Sequence, residues 1–562
     1  MTSEMLMSLL GGLGLFIFGM NMMSDGLKTI AGDRMKKLLE VLTNNRFIGV
    51  IVGAIVTVIV QSSSTTTVMI VGFVNAGLMN LIQATGVIMG ANIGTTVTAQ
   101  MVAFKVTKYA PLAIAIGTVM FLFAKKKRYK QIGSVILGFG ILFMGIELMS
   151  NAMKPLRDFE GFKTLLISFS HNPFLGVIAG FVLTAVVQSS SASIGLLQAL
   201  AISGAFSGIP GVSPFALIVP ILMGQNIGTC VTSMLSSIGA SIAAKRAAFI
   251  HLIFNVIGTI WFLIILFLIG NPIYDFIVSV SGTTNIDGQI VPDVVRQIAN
   301  THTIFNVINT VALFPFAVVL VKLARKVLPG EEKEDHDGLK YLDERILENP
   351  AVAVGQAVKE TVRMGRLALD NMNKAMEAFF NEDEKLMGEV FEREKSINNL
   401  EREITKYLVK LSNENLSDLD YMRISNLYHT INDIERIGDH AENLAELVEY
   451  RIDHRLSFSD TATEELNEMH KKVHNMVADA INSLENDDIT LANTIEDKEK
   501  EIDKMEEHYR NVHIQRLNKQ LCHPSSGVIF LDILSNLERI ADHSTNISKT
   551  VMDLEIYLKH TR

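Results

Sequence analysis

Two patterns of apolar and polar positions divide the chain near residue 330. Before it the sequence consists of long apolar runs, and no charged residue lies between Phe47 and Phe104. From Asn349 onward, apolar positions recur three and four residues apart among charged ones, which is typical of amphipathic helices. The sequence therefore predicts an all-α protein, with a polytopic membrane domain followed by a soluble helical domain.

Clusters of acidic, small and turn-forming residues mark the expected helix ends in the second half. They lie at 381–384, 417–420, 457–460, 485–488 and 522–527. Six helices result, and the second three repeat the first three, since INDIERIGDHAENLAE from Ile431 parallels LSNLERIADHSTNIS from Leu534. We therefore expect a six-helix domain made of two three-helix bundles.

The apolar half is also duplicated. NRFIGVIVGAIVTVIVQSSS at 45–64 aligns with NPFLGVIAGFVLTAVVQSSS at 172–191, and MGANIGTTVT from Met89 matches MGQNIGTCVT from Met223. Blocks that recur in one order indicate gene duplication. The expected domains are the membrane domain at 1–328, a linker at 329–344 and the helical domain at 345–562. Within the first domain, repeat one covers about 10–124, repeat two about 134–265, and extra helices continue to 328.

The duplicated segments are too short to cross a membrane. The apolar part of the first, Phe47–Val60, would be about 21 Å long as a helix, whereas the hydrocarbon core is about 30 Å thick. We expect each segment to enter the bilayer, stop at its serines and turn back as a re-entrant helical hairpin. Inverted-repeat transporters place discontinuous helices in this way, so the sequence predicts that architecture.

Charge separates the two halves further. Residues 1–329 carry a net charge of +11 and residues 330–562 one of −20, which together give the −9 of the whole chain. The acidic balance argues against nucleic acid as a partner. Cys230 and Cys522 are the two cysteines, and their separation implies no disulfide framework. The N-terminus lacks a basic region and a cleavage site, so we expect it to form the first membrane helix.

Basic flanks predict the orientation in the membrane. Lys322, Arg325 and Lys326 follow the last long apolar run, and KKKRYK occupies 125–130. Such residues favour the cytoplasmic side of a span. We therefore expect a multi-pass protein of the plasma (inner) membrane whose C-terminal domain is cytoplasmic.

Serine triplets follow both short apolar segments. Free N–H groups at a helix start, together with serine hydroxyls, form a site for a tetrahedral oxyanion. The candidate anion ligands are Ser62, Ser63, Ser64, Ser189, Ser190 and Ser191. A lone serine in a membrane helix more often serves packing. The repetition of Gln-Ser-Ser-Ser in half-length segments favours binding instead.

Neutral oxygens near the triplets predict a bound cation. The stretches 47–104 and 174–244 contain no Lys, Arg or His, so an anion there needs another source of positive charge. Hard neutral oxygens suit sodium, and the candidate ligands are Gln61, Asn92, Thr95, Gln188, Asn226 and Thr229. These stretches hold neither G-x-S-x-G nor a triad partner, so we expect a transporter and no enzyme.

These motifs resemble the sodium–phosphate cotransporter type II family over about the first 325 residues. The resemblance rests on the duplicated QSSS, on GANIGTT and GQNIGTC, and on LFIFGMNMMSDGLK. It implies sodium-coupled transport of inorganic phosphate, with the six serines facing phosphate. The sodium ligands that it implies are Gln61, Thr65, Gln188, Ser189, Thr229 and Thr232. Asn21 stands where electrogenic members carry aspartate, which implies electroneutral transport. Another anion as substrate, and a phosphate receptor that does not transport, remain alternatives.

Acidic pairs on the repeated helices of the second half predict a metal site. Glu435 and Asp439, like Glu538 and Asp542, are four residues apart and share a helix face. Carboxylate clusters bind divalent or ferric ions, although such pairs are also common on solvated surfaces. The domain resembles PhoU, a phosphate-signalling regulator, over most of 345–560. This resemblance implies regulation of the transporter or signalling from it. The expected partners are a second copy of the chain in a homodimer, or phosphate-signalling proteins.

A pentapeptide motif recurs late in the apolar half. HLIFN at 251–255 and HTIFN at 302–306 place His251 and His302 in membrane segments. They are expected to be hydrogen-bonded packing residues, or alternatively proton-sensitive groups that line a path.

Overall fold

The computed structural model describes residues 3–40, 45–104, 106–206, 213–286, 289–330, 339–414 and 416–561. The chain forms two compact units, Met1–Lys333 and Glu334–Arg562. Almost all of the described residues are helical.

The first unit contains fourteen α-helices among its described residues. They are α1 Ser3–Glu40, α2 Arg46–Val60, α3 Ser63–Asn75, α4 Leu81–Gly94, α5 Thr96–Ala103, α6 Ala110–Phe123, α7 Lys127–Met153, α8 Glu160–His171, α9 Pro173–Val187, α10 Ser190–Ile202, α11 Pro214–Ser236, α12 Ile242–Ser281, α13 Val294–Leu313 and α14 Ala317–Val327. Five helices are long and apolar enough to cross a membrane, or up to seven spans if each sharply bent helix pair is one. In contrast, α2 and α10 are apolar but short.

The all-α prediction was wrong at one place. Strands β1 Thr283–Ile286 and β2 Gln289–Pro292 pair antiparallel between α12 and α13. β-Branched residues in both strands, with an Asp-Gly pair between them in the sequence, favour such a hairpin. The helical periodicity of the surrounding chain obscured this short signal.

The duplicated sequence produces a duplicated helix pair. Helix α2 packs against α4, and α9 packs against α11. A Cβ atom on Gly90 would lie 2.0 Å from the carbonyl oxygen of Val50, and one on Gly224 would lie 2.0 Å from that of Val177. These glycines occupy equivalent positions in the two repeats. The close approach of backbones therefore requires glycine at the same place twice.

The described residues of the second unit form six long helices. They are α15 Pro350–Asn381, α16 Glu384–Ser412, α17 Asp418–Asp453, α18 Asp460–Asn486, α19 Ile489–Asn518 and α20 Pro524–Thr561. The first three pack against one another, as do the last three, while α17 contacts α20 and α15 contacts α18. We call these two groups the first and second trio.

N-caps explain the helix breaks in the second unit. The side chains of Asp383, Ser417, Ser459 and Asp488 each accept a hydrogen bond from a backbone N–H of the helix that follows. Short polar side chains satisfy the free donors at a helix start, which stabilises the start by about 1 kcal/mol. The acidic and serine clusters in the sequence end helices for this reason.

Candidate functional site

Both serine triplets lie where one helix ends and the next begins. Helix α2 ends at Gln61 (φ 55°, ψ 19°) and α9 ends at Gln188 (φ 55°, ψ 20°), both in the left-handed conformation. The following serine caps the next helix: Ser62 Oγ accepts from the N–H of Thr65 at 3.1 Å, and Ser189 Oγ accepts from that of Ala192 at 3.2 Å. The same break is thus built in both repeats.

The remaining serines form the first turn of the new helix. Ser63, Ser64, Ser190 and Ser191 are all buried. The N–H groups of a first helical turn have no partner within the helix, so a helix start with hydroxyls beside it can bind an anion. In Ser62 and Ser189 the hydroxyl oxygen accepts the cap bond with one lone pair, so its second lone pair and the hydroxyl hydrogen remain available to a ligand.

The serine helix of each repeat packs against the other repeat. Helix α3 contacts α11, and α10 contacts α5, so the helix that begins with the serines packs in each repeat against a helix of the other repeat. Gln198 Nε2 in α10 donates to the carbonyl of Ala99 in α5 at 2.9 Å. The two repeats are therefore packed together through the helices that follow their duplicated motifs.

The two repeats differ in how their glutamines are held. Gln61 is buried, and its Oε1 accepts from the hydroxyl of Thr98 at 2.9 Å. Gln188 is exposed and makes no side-chain hydrogen bond to any described residue. Its expected partner Thr232, equivalent to Thr98, has a buried hydroxyl without a partner in the described structure.

A second pair of residues shows the same difference. Thr57 Oγ1 donates to Thr66 Oγ1 at 3.1 Å and joins α2 to α3. The equivalent Thr184 and Ser193 are buried, and among the described residues neither hydroxyl has a partner. Two side-chain hydrogen bonds therefore join elements of repeat one, and the described residues of repeat two form neither equivalent bond.

The asparagines and threonines of the second motif are also buried. Asn92 Nδ2 donates to the carbonyl of Ile88 at 2.8 Å, and Thr229 Oγ1 donates to the carbonyl of Gln225 at 3.1 Å. The hydroxyl of Thr95 has no partner in the described structure. Neutral oxygens in this region fit a sodium ion, since their chemistry suits a hard cation.

Sequence reasoning missed one contact at the first helix break. Ser24 in α1 is buried, and its hydroxyl donates to the carbonyl of Val60 at 2.6 Å, the last residue of α2. This bond satisfies a free carbonyl at the helix end. Ser24 lies within the LFIFGMNMMSDGLK motif, which the sequence analysis used only as part of the family resemblance.

A carboxylate cluster forms in the second trio. Asp503 of α19 joins Glu538 and Asp542 of α20, with one oxygen of each within 4.8 Å of the others. Burial, and then the neighbouring Asp542, raise the pKa of Glu538 above its usual range. Hard oxygen ligands at this separation fit a divalent or ferric ion. Asp503 was missed, although it lies four residues after Glu499 on one helix face.

The corresponding place in the first trio is built differently. Glu394 of α16 is buried beside Glu435 and Asp439, and neither of its oxygens has a hydrogen-bond partner among the described residues. Burial, followed by repulsion from Asp439, raises the pKa of Glu394 to about 8. Asn398 stands at the position of Asp503, so this trio has one carboxylate fewer on that helix.

Comparison with known proteins identifies both units. The Na+/Pi-cotransporter family profile matches residues 15–151 and 154–274, which correspond to the two repeats. The PhoU domain profile matches 361–448 and 466–551, which lie in the two trios. The chain joins a Na+/Pi-cotransporter domain to a PhoU domain. We use these two names for the units below.

Three known proteins are similar to the whole chain or to part of it. The chain is 23% identical over 551 residues to the "Putative inorganic phosphate export protein YjbB" of Escherichia coli O157:H7, covering 98% of this chain and 97% of that protein. Rat "Sodium-dependent phosphate transport protein 2A" is 41% identical over 99 residues, or 17% of this chain and 15% of that protein. The crystal structure of PhoU from Pseudomonas aeruginosa aligns with a TM-score of 0.34 and 25% identity, covering 36% of this chain and 96% of that one.

Proposed function

We propose that the protein couples the transport of inorganic phosphate to sodium across the plasma membrane, and that its PhoU domain regulates this transport from the cytoplasm. The observation that carries the proposal is the pair of equivalent helix breaks at Gln61 and Gln188. Each break starts a new helix with buried serines inside an apolar, uncharged environment. Family membership supports phosphate as the substrate and sodium as the coupling ion.

In this proposal the two helix breaks form the tips of re-entrant hairpins. Backbone N–H groups and serine hydroxyls at Ser62–Ser64 and Ser189–Ser191 donate to the phosphate oxygens. Sodium ions offset the negative charge, because no basic side chain lies in these segments. Their proposed ligands are Gln61, Thr65, Asn92, Thr95, Gln188, Ser189, Thr229 and Thr232.

The difference between the repeats supports transport by alternating access. Transporters with inverted repeats expose one site to each side of the membrane in turn, by exchanging the conformations of their two halves. Repeat one here has its glutamine buried and bonded to Thr98, whereas Gln188 of repeat two is exposed. We propose that transport exchanges these two arrangements, so that Gln188 becomes buried against Thr232.

The PhoU domain provides the regulatory part of the proposal. Its carboxylate clusters would hold a metal ion that neutralises local repulsion and stiffens the trios, because a metal favours the conformation that forms its site.

Domain limits of 1–328 for the transporter, 329–344 for a linker and 345–562 for the regulator fit the two compact units. Asn21 supports electroneutral coupling.

Phosphate flux in proteoliposomes tests the proposed function. The purified full-length chain is reconstituted, and labelled phosphate is followed with sodium gradients imposed in either direction. We expect phosphate to follow the sodium gradient, and we expect potassium to be unable to replace sodium. The E. coli relative is named for phosphate export, so both directions are measured.

Two outcomes would reject the proposal. Phosphate flux that is unaffected by sodium would contradict the coupling. Saturable phosphate binding without accumulation in sealed vesicles would instead identify a phosphate receptor.

A further inference from the structure

Helix α13 carries buried polar residues and lies beyond the residues that the transporter family profile matches. The match to the family profile ends at residue 274, and α13 covers Val294–Leu313. Its buried polar side chains are Gln297, Thr301, His302, Asn306, Asn309 and Thr310. A purely structural helix in a membrane unit needs few polar groups, so this stripe requires another explanation.

Hydrogen bonds connect α13 to both repeats. Gln100 of repeat one donates through Nε2 to Thr303 Oγ1 at 2.8 Å, and Thr310 Oγ1 donates to the carbonyl of Met89 at 3.3 Å. On the side of repeat two, His302 Nε2 lies 3.1 Å from Asn226 Oδ1. Helix α13 thus bonds to residues on either side of the Asn-Ile-Gly-Thr segment in repeat one, and to Asn226 within that segment in repeat two.

The contact with His302 makes Asn226 different from its equivalent Asn92. Because Asn226 Oδ1 can only accept, His302 Nε2 carries the hydrogen and donates it. Asn226 Nδ2 is then left without a partner in the described structure, although the residue is 3% exposed. Asn92 has the opposite arrangement, since its Nδ2 is satisfied by the carbonyl of Ile88.

We infer that His302 is a positioning residue, which holds Asn226 so that its side-chain N–H₂ donates to an oxygen of the bound phosphate. The inference rests on the proposed function and extends it beyond the matched family region. It reassigns Asn226, which the sequence analysis placed among the sodium ligands. Asn92 keeps its oxygen available for a cation, so duplicated asparagines serve opposite charges.

The chemistry favours an anion at Asn226. A buried donor without an acceptor is unfavourable, and a sodium ion cannot accept a hydrogen bond. A phosphate oxygen satisfies the donor with a charge-assisted hydrogen bond, which is stronger than one between neutral groups. Losing His302 allows the amide to rotate, so binding of phosphate weakens more than binding of sodium.

Two substitutions at His302 and one matched control test this inference. His302→Ala should raise the phosphate concentration for half-maximal transport about tenfold, while the sodium requirement changes less than about twofold. His302→Gln retains a donor at a similar reach and should restore the phosphate requirement to within about threefold. His251→Ala is the control, because His251 lies in the same H-x-I-F-N motif but its ring contacts Ser233.

Equilibrium binding of labelled phosphate to the purified full-length chain gives a second readout, independent of transport. The inference is overturned if the sodium requirement shifts in place of the phosphate requirement, if Gln restores nothing, or if His251→Ala has the same effect. If the wild-type chain transports phosphate with sodium and the His302 variants have the same phosphate requirement, this inference is overturned and the proposed function stands. A folded wild-type chain that neither binds nor transports phosphate overturns the proposed function as well.

Discussion

Gln61 and Gln188 end equivalent helices with the same left-handed backbone, but only Gln61 is buried and bonded to Thr98. Their substitutions should therefore have different effects. Gln61→Ala removes a buried hydrogen bond and should lower the free energy of unfolding by about 1–3 kcal/mol. Gln188→Ala breaks no bond within the described structure and should leave stability unchanged, which thermal unfolding of the purified protein measures.

The ion requirements of transport test the role of Gln188. We expect Gln188→Ala to raise the sodium requirement more than the phosphate requirement, because the proposed role of Gln188 is to bind the cation. Initial rates at varied sodium and at varied phosphate measure both. An unchanged sodium requirement would remove Gln188 from the cation site, and equal loss of stability in both variants would contradict their different environments.

Ser190 provides a test of the anion site. It is buried in the first turn of α10, and Ser190→Ala removes one hydroxyl donor without changing the cap at Ser189. Loss of a hydrogen bond to a charged ligand should weaken phosphate binding by about 1.5–3 kcal/mol. Ser189→Ala is the contrasting variant, since it removes a helix cap and should lower stability as well. Ser190→Ala with unchanged phosphate binding would exclude its hydroxyl from the site.

The sequence predicted the local features of this structure well and the long-range ones poorly. The helix breaks at Gln61 and Gln188 were expected because Gln-Ser-Ser-Ser interrupts an apolar run in both repeats, and Ser417 marks a helix start through its own cap. These depend on neighbouring residues. The bond between His302 and Asn226 joins residues 76 apart, and no local pattern signals it.

Equivalent residues with different environments could not be predicted either. Thr57 and Thr184 occupy the same place in the duplicated sequence, yet only Thr57 has a hydrogen-bond partner among the described residues. A repeat predicts that two halves share a fold. It does not predict which half forms these hydrogen bonds, because that depends on how each half packs against the other.

The two trios of the PhoU domain should differ in the amount of metal that they bind. Substituting Glu435, Asp439, Glu538 and Asp542 together by Ala should lower the metal measured by elemental analysis of the full-length protein. Substituting only Asp503, Glu538 and Asp542 should remove most of it, because the first trio carries Asn398 in place of Asp503. Glu496→Ala is the control, since this exposed residue on α19 pairs with Lys500. Unchanged metal content in the fourfold variant would make the cluster ordinary acidic surface.

The free energy of unfolding of the PhoU domain should fall at acidic pH, because His470 is protonated more easily in the unfolded chain than in the folded one. This ring donates to Asn373 Oδ1 at 3.0 Å, and His474 donates to the same oxygen at 2.9 Å. Burial, followed by the charges of His474 and Lys471, lowers the pKa of His470 to about 4. The unfolded chain takes up the proton near pH 6.5, before the folded protein does. The contribution of His470 is therefore full above about pH 6.5 and is lost as the pH falls toward 4.

Hydrogen exchange of α18 in the full-length protein at pH 7.5 and 5.0 measures this effect. We expect the protection factor, which corrects for the slower intrinsic exchange at acidic pH, to be lower at pH 5.0 in the wild type, and we expect a smaller change in His470→Gln, which cannot be protonated. His454→Gln is the control, because His454 is exposed. An equal pH response in wild type and His470→Gln would contradict the assignment.

Deleting residues 335–562 tests how the PhoU domain acts on transport. The deletion leaves the end of the membrane unit anchored, because Arg246 donates to the carbonyls of Leu328 and Gly330 at 3.0 and 2.7 Å. The proposed phosphate and sodium ligands all lie between Gln61 and Thr232, so their affinities should not change. If the domain restrains the transporter, the maximal rate should rise while the concentrations for half-maximal transport stay the same.

Rates in proteoliposomes with equal amounts of inserted protein measure this, and the fourfold carboxylate variant of the full-length chain provides the comparison. A regulator that depends on its metal predicts that this variant behaves like the deletion. A variant that behaves like the wild type would separate regulation from metal binding. Loss of transport in a correctly inserted deletion protein would show that the domain is required for activity, because the site itself lies wholly within the part that remains.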